Sequence, residues 1–191
     1  MKSLAGTQTE LNLLKGFAGE SEARNRYTYF ASIAKKEGYE QICAIFLETA
    51  DNEKEHAKVF FKYLKGTCHE VTHTVCTGPL TTTRECLLAA AAGEYEEWHD
   101  LYGAWADVAD EEGFPEIAAS LRAIATVEQH HEARYRKLAA NIDDANVFKK
   151  PEAILWKCRN CGYIHGGDDA PLVCPACKHP QAYFEELADN F

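Results

Sequence analysis

The sequence predicts a mainly α protein: a four-helix bundle with one long crossover, followed by a small C-terminal metal-binding domain. Three observations predict it. Apolar residues recur at steps of three and four along four stretches of residues 1–140. Glu53-x-x-His56 and Glu128-x-x-His131 repeat one ionisable pair 75 residues apart, inside two of those stretches. Cys158-x-x-Cys161 and Cys174-x-x-Cys177 then form a C-x2-C-x12-C-x2-C array near the end of the chain.

Helices are expected at 8–37, 41–64, 83–111 and 115–140. Their core stripes read Leu13, Phe17, Glu20, Arg24, Tyr27, Ala31, Ala34; then Ile42, Phe46, Thr49, Glu53, His56, Phe60, Tyr63; then Leu87, Ala90, Glu94, Glu97, Leu101, Ala104, Val108; and Ile117, Leu121, Ile124, Glu128, His131, Tyr135, Leu138. Each is apolar at its ends and acidic near its middle, which describes one polar layer across a bundle. Gly38 and Gly113 supply helix stops, and Pro115 suits a first helical turn. Short links at 38–40 and 112–114 make two antiparallel hairpins. The stretch 65–82, rich in Thr, Gly and Pro, is long enough to cross the bundle, a connectivity of the ferritin-like kind. The hairpins are also related in sequence. Ala18-Gly19-Glu20 matches Ala92-Gly93-Glu94 at an offset of 74, while Tyr27 and Tyr102, Glu37-Gly38-Tyr39 and Glu112-Gly113-Phe114, and the Glu-x-x-His pairs match at 75. One hairpin is duplicated, with one extra residue in the second copy.

Glu and His three apart share a helix face, and a bundle core rejects both unless positive charge compensates them. Glu20, Glu94, Glu53 with His56, and Glu128 with His131 make up the ligand set by which such bundles hold two metal ions. Oxygen-rich sites with imidazole suit iron or manganese. Glu97, one turn beyond Glu94, has two readings: a surface residue of different helical phase, or a ligand that competes with His56 when the charge on the metals changes. Tyr27 and Tyr102 lie on the metal-facing side about two turns from Glu20 and Glu94, where a buried phenol finds a ligating carboxylate as its nearest partner. Glu22, Glu48, Glu55 and Glu96 fall off the stripes and read as solvated; His130 points away from Glu128. His69, His73, His99, His165 and His179 lack partner spacing.

Four thiolates at the C-terminal spacing make a tetrahedral site for zinc or a single iron. A structural zinc ribbon and a redox iron site both satisfy it; the neighbouring dimetal layer favours iron. Residues 156–191 are too few to build much core, so the metal helps hold them together, with Trp156, Tyr163, Tyr183 and Phe184 as cover. Residues 141–155, with Asp143-Asp144 and Pro151, read as a linker. Cys43, Cys68, Cys76 and Cys86 read as free thiols; a Cys68–Cys76 disulfide would need an oxidising compartment, and no export signal is visible.

Taken together, the two modules give a chain that resembles rubrerythrins over essentially its whole length. The resemblance rests on Glu20, Glu53-x-x-His56, Glu94-x-x-Glu97, Glu128-x-x-His131, Cys158-x-x-Cys161-Gly162-Tyr163 and Cys174-Pro175-x-Cys177. It implies a non-haem di-iron centre that reduces hydrogen peroxide to water, fed by a rubredoxin-like Fe(Cys)4 centre. It further implies that Glu20, Glu53, Glu94, Glu97, Glu128 and His131 ligate the oxidised pair, Glu53 and Glu128 bridging, and that on reduction one iron moves from Glu97 to His56. Tyr27 and Tyr102 match the family's tyrosines beside the ligands. Homodimers in which one subunit's rubredoxin-like domain serves the other's bundle are expected. One departure is Lys178-His179-Pro180, where simple rubredoxins have Gly after the last Cys; this bears on amide hydrogen bonds to sulfur and hence on potential.

The formal charge of −10 argues against nucleic acid and anionic membrane as partners. No apolar run is long enough to span a membrane, and the cytoplasm is the expected location. Electrons ultimately from NAD(P)H would need a separate reductase or rubredoxin, since no Gly-rich dinucleotide fingerprint occurs. The alternative function is a ferroxidase or iron-handling protein, against which the attached thiolate module argues. A third reading is a non-enzymatic metal-binding module with zinc in its tail.

Overall fold

A computed structural model describes residues 3–190. Helix α1 (Gln8–Lys36) starts where Thr7 Oγ1 accepts the Glu10 amide at 3.1 Å, while the Glu10 carboxylate accepts the Gly6 amide at 2.8 Å. Gly38, at φ 84°, turns the chain into α2 (Glu40–Leu64). The third rod begins at α3 (Thr83–Tyr95), passes through a π-helical turn at Glu96–Leu101 and continues as α4 (Tyr102–Glu111). Helix α5 (Pro115–Asp143) has its proline in the first turn and runs three residues beyond the expected end.

Two equivalent glutamates tie the hairpins together. Glu37, closing α1, accepts the Thr83 amide at the start of α3 at 2.9 Å. Glu112, closing α4, accepts the amides of Gln8 and Thr9 at the start of α1 at 3.0 and 2.8 Å. Carboxylates placed at helix N-termini satisfy orphan amides and the positive end of the dipole. The same contacts set α1 and α3 antiparallel. The connection 65–82 therefore spans the bundle, passing Glu10 through the Thr67 hydroxyl (2.7 Å) and Arg26 through the Cys76 carbonyl (2.5 Å).

Apolar side chains form two plugs with the acidic layer between them. One contains Phe30, Phe46, Ile42, Leu87 and Tyr135; the other contains Leu13, Phe60, Leu121 and Ile117. The expected stripes match except in two places. Arg24 is exposed and Ala23 takes the core position, because a long cation is cheaper in water than a methyl group. After Glu97 the core positions are Tyr102, Ala106 and Ala109, with Leu101 and Val108 only half-buried and Ala104 exposed. The π turn is the physical reason. It accommodates one more residue than an α turn, so the rod resumes one position later. This places the extra residue of the second repeat, which the change of offset from 74 to 75 locates between Glu94 and Tyr102.

The C-terminal module is a three-stranded antiparallel sheet of order β2-β1-β3, with β1 at Lys149–Cys158, β2 at Ile164–Asp169 and β3 at Phe184–Glu186. Strand β1 begins inside the span expected as linker, leaving residues 144–148 between helix and strand. Pro151 is tolerated because the register is irregular between Lys149 and Ile154 and β3 pairs only from Trp156 onward. Tyr39 stacks on Phe148 at 6.0 Å, so the module rests against the α1–α2 turn.

Deleting Glu97 should relax the π turn into continuous α-helix and keep Tyr102, Ala106 and Ala109 inside, leaving a helical, cooperatively unfolding protein. Deleting Ala90 instead should rotate the rest of the rod by about 100° and abolish cooperative unfolding. Circular dichroism melts of the two variants distinguish these outcomes.

Candidate metal centres

Helix α1 delivers Glu20, α2 delivers Glu53 and His56, α3 delivers Glu94, and α5 delivers Glu128 and His131. The four carboxylates have 0% exposure. Their ligand atoms fall into two sets, each within 4.8 Å: Glu20, Glu53, His56 and Glu128, and Glu53, Glu94, Glu128 and His131. Glu53 and Glu128 belong to both. His56 Nδ1 stands 2.8 Å from an oxygen of each of these two, and His131 Nδ1 stands 2.9 Å from Glu128 and 3.2 Å from Glu53. Close as they are, these atoms are not aligned as hydrogen bonds. Glu20 Oε2, Glu94 Oε2, both oxygens of Glu53 and of Glu128, and both Nδ1 atoms are shut off from solvent without a hydrogen-bond partner. Lone pairs that share a dry space without bonding one another fit cations lying between them.

The electrostatics agree. Burial, then Glu97 and Glu128, push the Glu20 carboxyl well above the usual range; burial, then Glu53, push Glu94 up to about 8. Burial pulls the histidines down, but the carboxylates outweigh it: Glu128 and Glu53 raise His56 to about 9, and Glu128, Glu53 and Glu94 raise His131 to about 12. Glu128 runs the other way, since His131 and His56 overcome its burial and hold it low.

Glu97 lies on the π turn and in neither set. It is half-buried, and burial followed by Glu94 and Glu128 pushes its carboxyl well up, so it stands at the edge of the acidic layer rather than on a solvated face. The two tyrosines cross between the repeats. Tyr27 donates to Glu94 Oε1, and Tyr102 donates to Glu20 Oε1 at 2.5 Å. Burial, followed by these carboxylates, raises both phenols, so they remain donors. Asn52, which spacing does not single out, lies with Oδ1 3.2 Å from His131 Nε2. Accepting a proton there leaves Nδ1 as a lone pair facing the carboxylates. Its only sequence signal is adjacency to Glu53. His130, Glu48, Glu55 and Glu96 are exposed as expected, whereas Glu22 is engaged by Arg26 at 3.1 Å.

Cys158, Cys161, Cys174 and Cys177 converge at the module's tip. Cys158 and Cys177 sulfurs are 3.7 Å apart, as are those of Cys161 and Cys174. Trp156 and Phe184 are buried against them, with Tyr163 and Tyr183 packed around. The two knuckles match in backbone. Gly162 donates to Cys158 O at 2.8 Å with φ 80°, and Lys178 donates to Cys174 O at 2.9 Å with φ 63°. Lys178 thus adopts the left-handed conformation that glycine takes in the first knuckle. The His179 amide still reaches the Cys177 thiol and is the main reason it is lowered to about 6. Cys43, Cys68, Cys76 and Cys86 are free thiols.

Comparison with known proteins agrees with this geometry. The family model described as Rubrerythrin matches residues 12–139, and that of the rubrerythrin rubredoxin-like domain matches 156–185. The chain belongs to the rubrerythrin family. It is 57% identical to rubrerythrin of Porphyromonas gingivalis, covering all of this chain and 95% of that one. Against rubrerythrin of Nitratidesulfovibrio vulgaris it is 50% identical, with full coverage of both. Among solved structures, nigerythrin in a mixed-valence state superposes with TM-score 0.64 at 29% identity, over 97% of this chain and 89% of that one. A bacterioferritin of Mycobacterium tuberculosis shares the fold, with TM-score 0.64 at 19% identity over 75% and 90% of the two chains. The chain thus joins a ferritin-like bundle to a rubredoxin-like domain with four converging cysteines, and among the described residues no helix is long and apolar enough to cross a membrane.

Glu20, Glu94, His56 and His131 all hold protons more tightly folded than unfolded. The contribution of these four groups to the metal-free fold should therefore be present at mildly acidic pH and be lost as pH rises through about 8 to 9, whereas Glu128, held low, contributes above 4.5 and loses that contribution as pH falls further. Metal loading should flatten that slope, as melting temperatures at pH 5.5 and 8.5 with and without metal would show. In the tail, Lys178→Gly should leave stability within about 1 kcal/mol, because relief of the left-handed strain is offset by added freedom in the unfolded chain. Lys178→Val should cost about 1–2 kcal/mol in thermal unfolding of the loaded protein.

Proposed function

We propose that this chain is a non-haem di-iron peroxidase that reduces hydrogen peroxide to water, with electrons relayed through an Fe(Cys)4 centre. The carrying observation is the pair of buried ligand sets sharing Glu53 and Glu128, joined in one chain to four converging cysteines. Two adjacent metal positions with common carboxylates suit a two-electron reaction, H2O2 + 2e− + 2H+ → 2H2O. Bound iron would supply those electrons and Lewis acidity, and the thiolate-held iron the one-electron resupply.

The residues have distinct tasks in this reading. Glu53 and Glu128 hold both metal positions; Glu20 and Glu94 close one side of each, and His131 completes one set. His56 and Glu97 are alternatives at the other. His56 faces that position here while Glu97 stands back, which is the arrangement the family resemblance assigns to the reduced state. Tyr27 and Tyr102 keep their protons and fix Glu94 and Glu20, while Asn52 orients His131. Electrons come from a separate donor protein, a rubredoxin or an NAD(P)H-dependent reductase, and the chain works in the cytoplasm as a homodimer. Support for the dimer is the packing of the module on the α1–α2 turn: from Glu40 to Glu53 α2 rises about 20 Å, so a second copy offers a shorter electron path.

Metal analysis with anaerobic stopped-flow mixing tests the reading. One equivalent of peroxide should oxidise the dimetal site and then the Fe(Cys)4 site of the reduced protein, and Glu97→Ala should slow turnover by about 10–100-fold. A reduced protein that stays reduced, or one that instead takes up and mineralises iron, would overturn it.

A further inference from the structure

A cavity of about 280 Å³ lies between α1, the π-interrupted rod and the crossover, outside the acidic layer. Its lining includes Glu97 and Tyr102 on the metal side and Thr72, His73, Thr74 and Cys76 of the crossover on the solvent side. The helix walls are bare where they matter. Gly19 and Gly93, the repeated glycines that precede Glu20 and Glu94, both line it. A Cβ at Gly19 would lie 3.6 Å from the His73 ring, and one at Gly93 would lie 3.0 Å from the Arg26 guanidinium. At the mouth, Arg26 binds Glu22 and the Cys76 carbonyl and so fixes the crossover in place. Arg26 Nε and His73 Nε2 are nonetheless buried without hydrogen-bond partners, although His73 Nε2 lies within ion-pair distance of Glu22 Oε2, at 3.6 Å.

Resting on the peroxidase reading, we propose that this cavity is the entry route and holding site of the oxidant. It admits small hydroxylic molecules of hydrogen peroxide size and excludes bulky organic hydroperoxides. The duplicated glycines keep the passage open, Glu22, Arg26 and His73 form its polar mouth, and Glu97 and Tyr102 form its inner end. The polar lining of Glu22, Arg26, His73 and Glu97 matches a solute that both donates and accepts at each end, whereas an apolar tail finds Arg26, Glu22 and Glu97 in its way. His73 is a specificity-determining residue in this scheme, and Gly19 is a positioning one whose role is the side chain it lacks.

Gly19→Leu is the direct test, since leucine favours the helix and projects towards His73. Iron content and helicity should be unchanged. The second-order rate of oxidation of the reduced protein by hydrogen peroxide, and the association rate of azide with the oxidised protein, should both fall by about tenfold or more. Oxidation of the Fe(Cys)4 site by ferricyanide should not change. A second variant, His73→Phe, keeps the bundle's interior intact and should slow both small probes, while the unaltered protein should react with cumene hydroperoxide far more slowly than with hydrogen peroxide. If both variants take up peroxide and azide at the original rates, or if cumene hydroperoxide reacts as fast as hydrogen peroxide, the route is wrong. Failure of the unaltered protein to react with any peroxide, with azide still binding more slowly in the variants, would instead overturn the peroxidase reading and leave the route standing.

Discussion

Glu20, Glu53, Glu94 and Glu128 arrive from four helical rods in a layer without measurable exposure, where lost hydration and mutual repulsion both oppose the ionised form. The surrounding structure is arranged to contain that cost. Apolar plugs seal the layer above and below, two tyrosines hold one oxygen each of Glu94 and Glu20, and the remaining oxygens are left without partners. The arrangement makes sense when cations complete it, because each unpaired lone pair then has an occupant to face.

The π turn connects this electrostatic constraint to reactivity. Tyr102 follows Glu94 by eight residues, so an unbroken α-helix would swing it about 80° off the face that carries Glu94. The π turn at Glu96–Leu101 absorbs the inserted residue, so Glu94 and Tyr102 both reach the layer and the rest of the rod keeps its phase, with Glu97 on the turn itself. The offset between the duplicated hairpins changes at this place. One metal position then has two candidate side chains, His56 and Glu97, of different charge.

The helices are legible in the sequence because glycines and Pro115 punctuate them, and observed ends fall within about three residues of those expected. The ligand sets are legible because an ionisable Glu-x-x-His pair inside an apolar stripe is tolerable only beside compensating positive charge. Beyond Glu97 the stripe Leu101, Ala104 and Val108 fails, since a 3.6-residue period cannot represent a π turn; the repeat offset carries that information instead. Glu37 and Glu112 are visible as a repeated pair, but their partners are helix starts distant in sequence. Asn52 and the Arg26–Glu22–His73 mouth depend on tertiary packing that no local spacing encodes.

Neither duplicated hairpin owns a complete set of ligands. The first contributes Glu20, Glu53 and His56 and borrows Glu128; the second contributes Glu94, Glu128 and His131 and borrows Glu53. Each half taken alone would carry its acids on an open flank, with the apolar plugs on either side of them likewise unsealed. The crossover at 65–82 therefore joins two halves that are each unfinished, and the layer exists only where they meet.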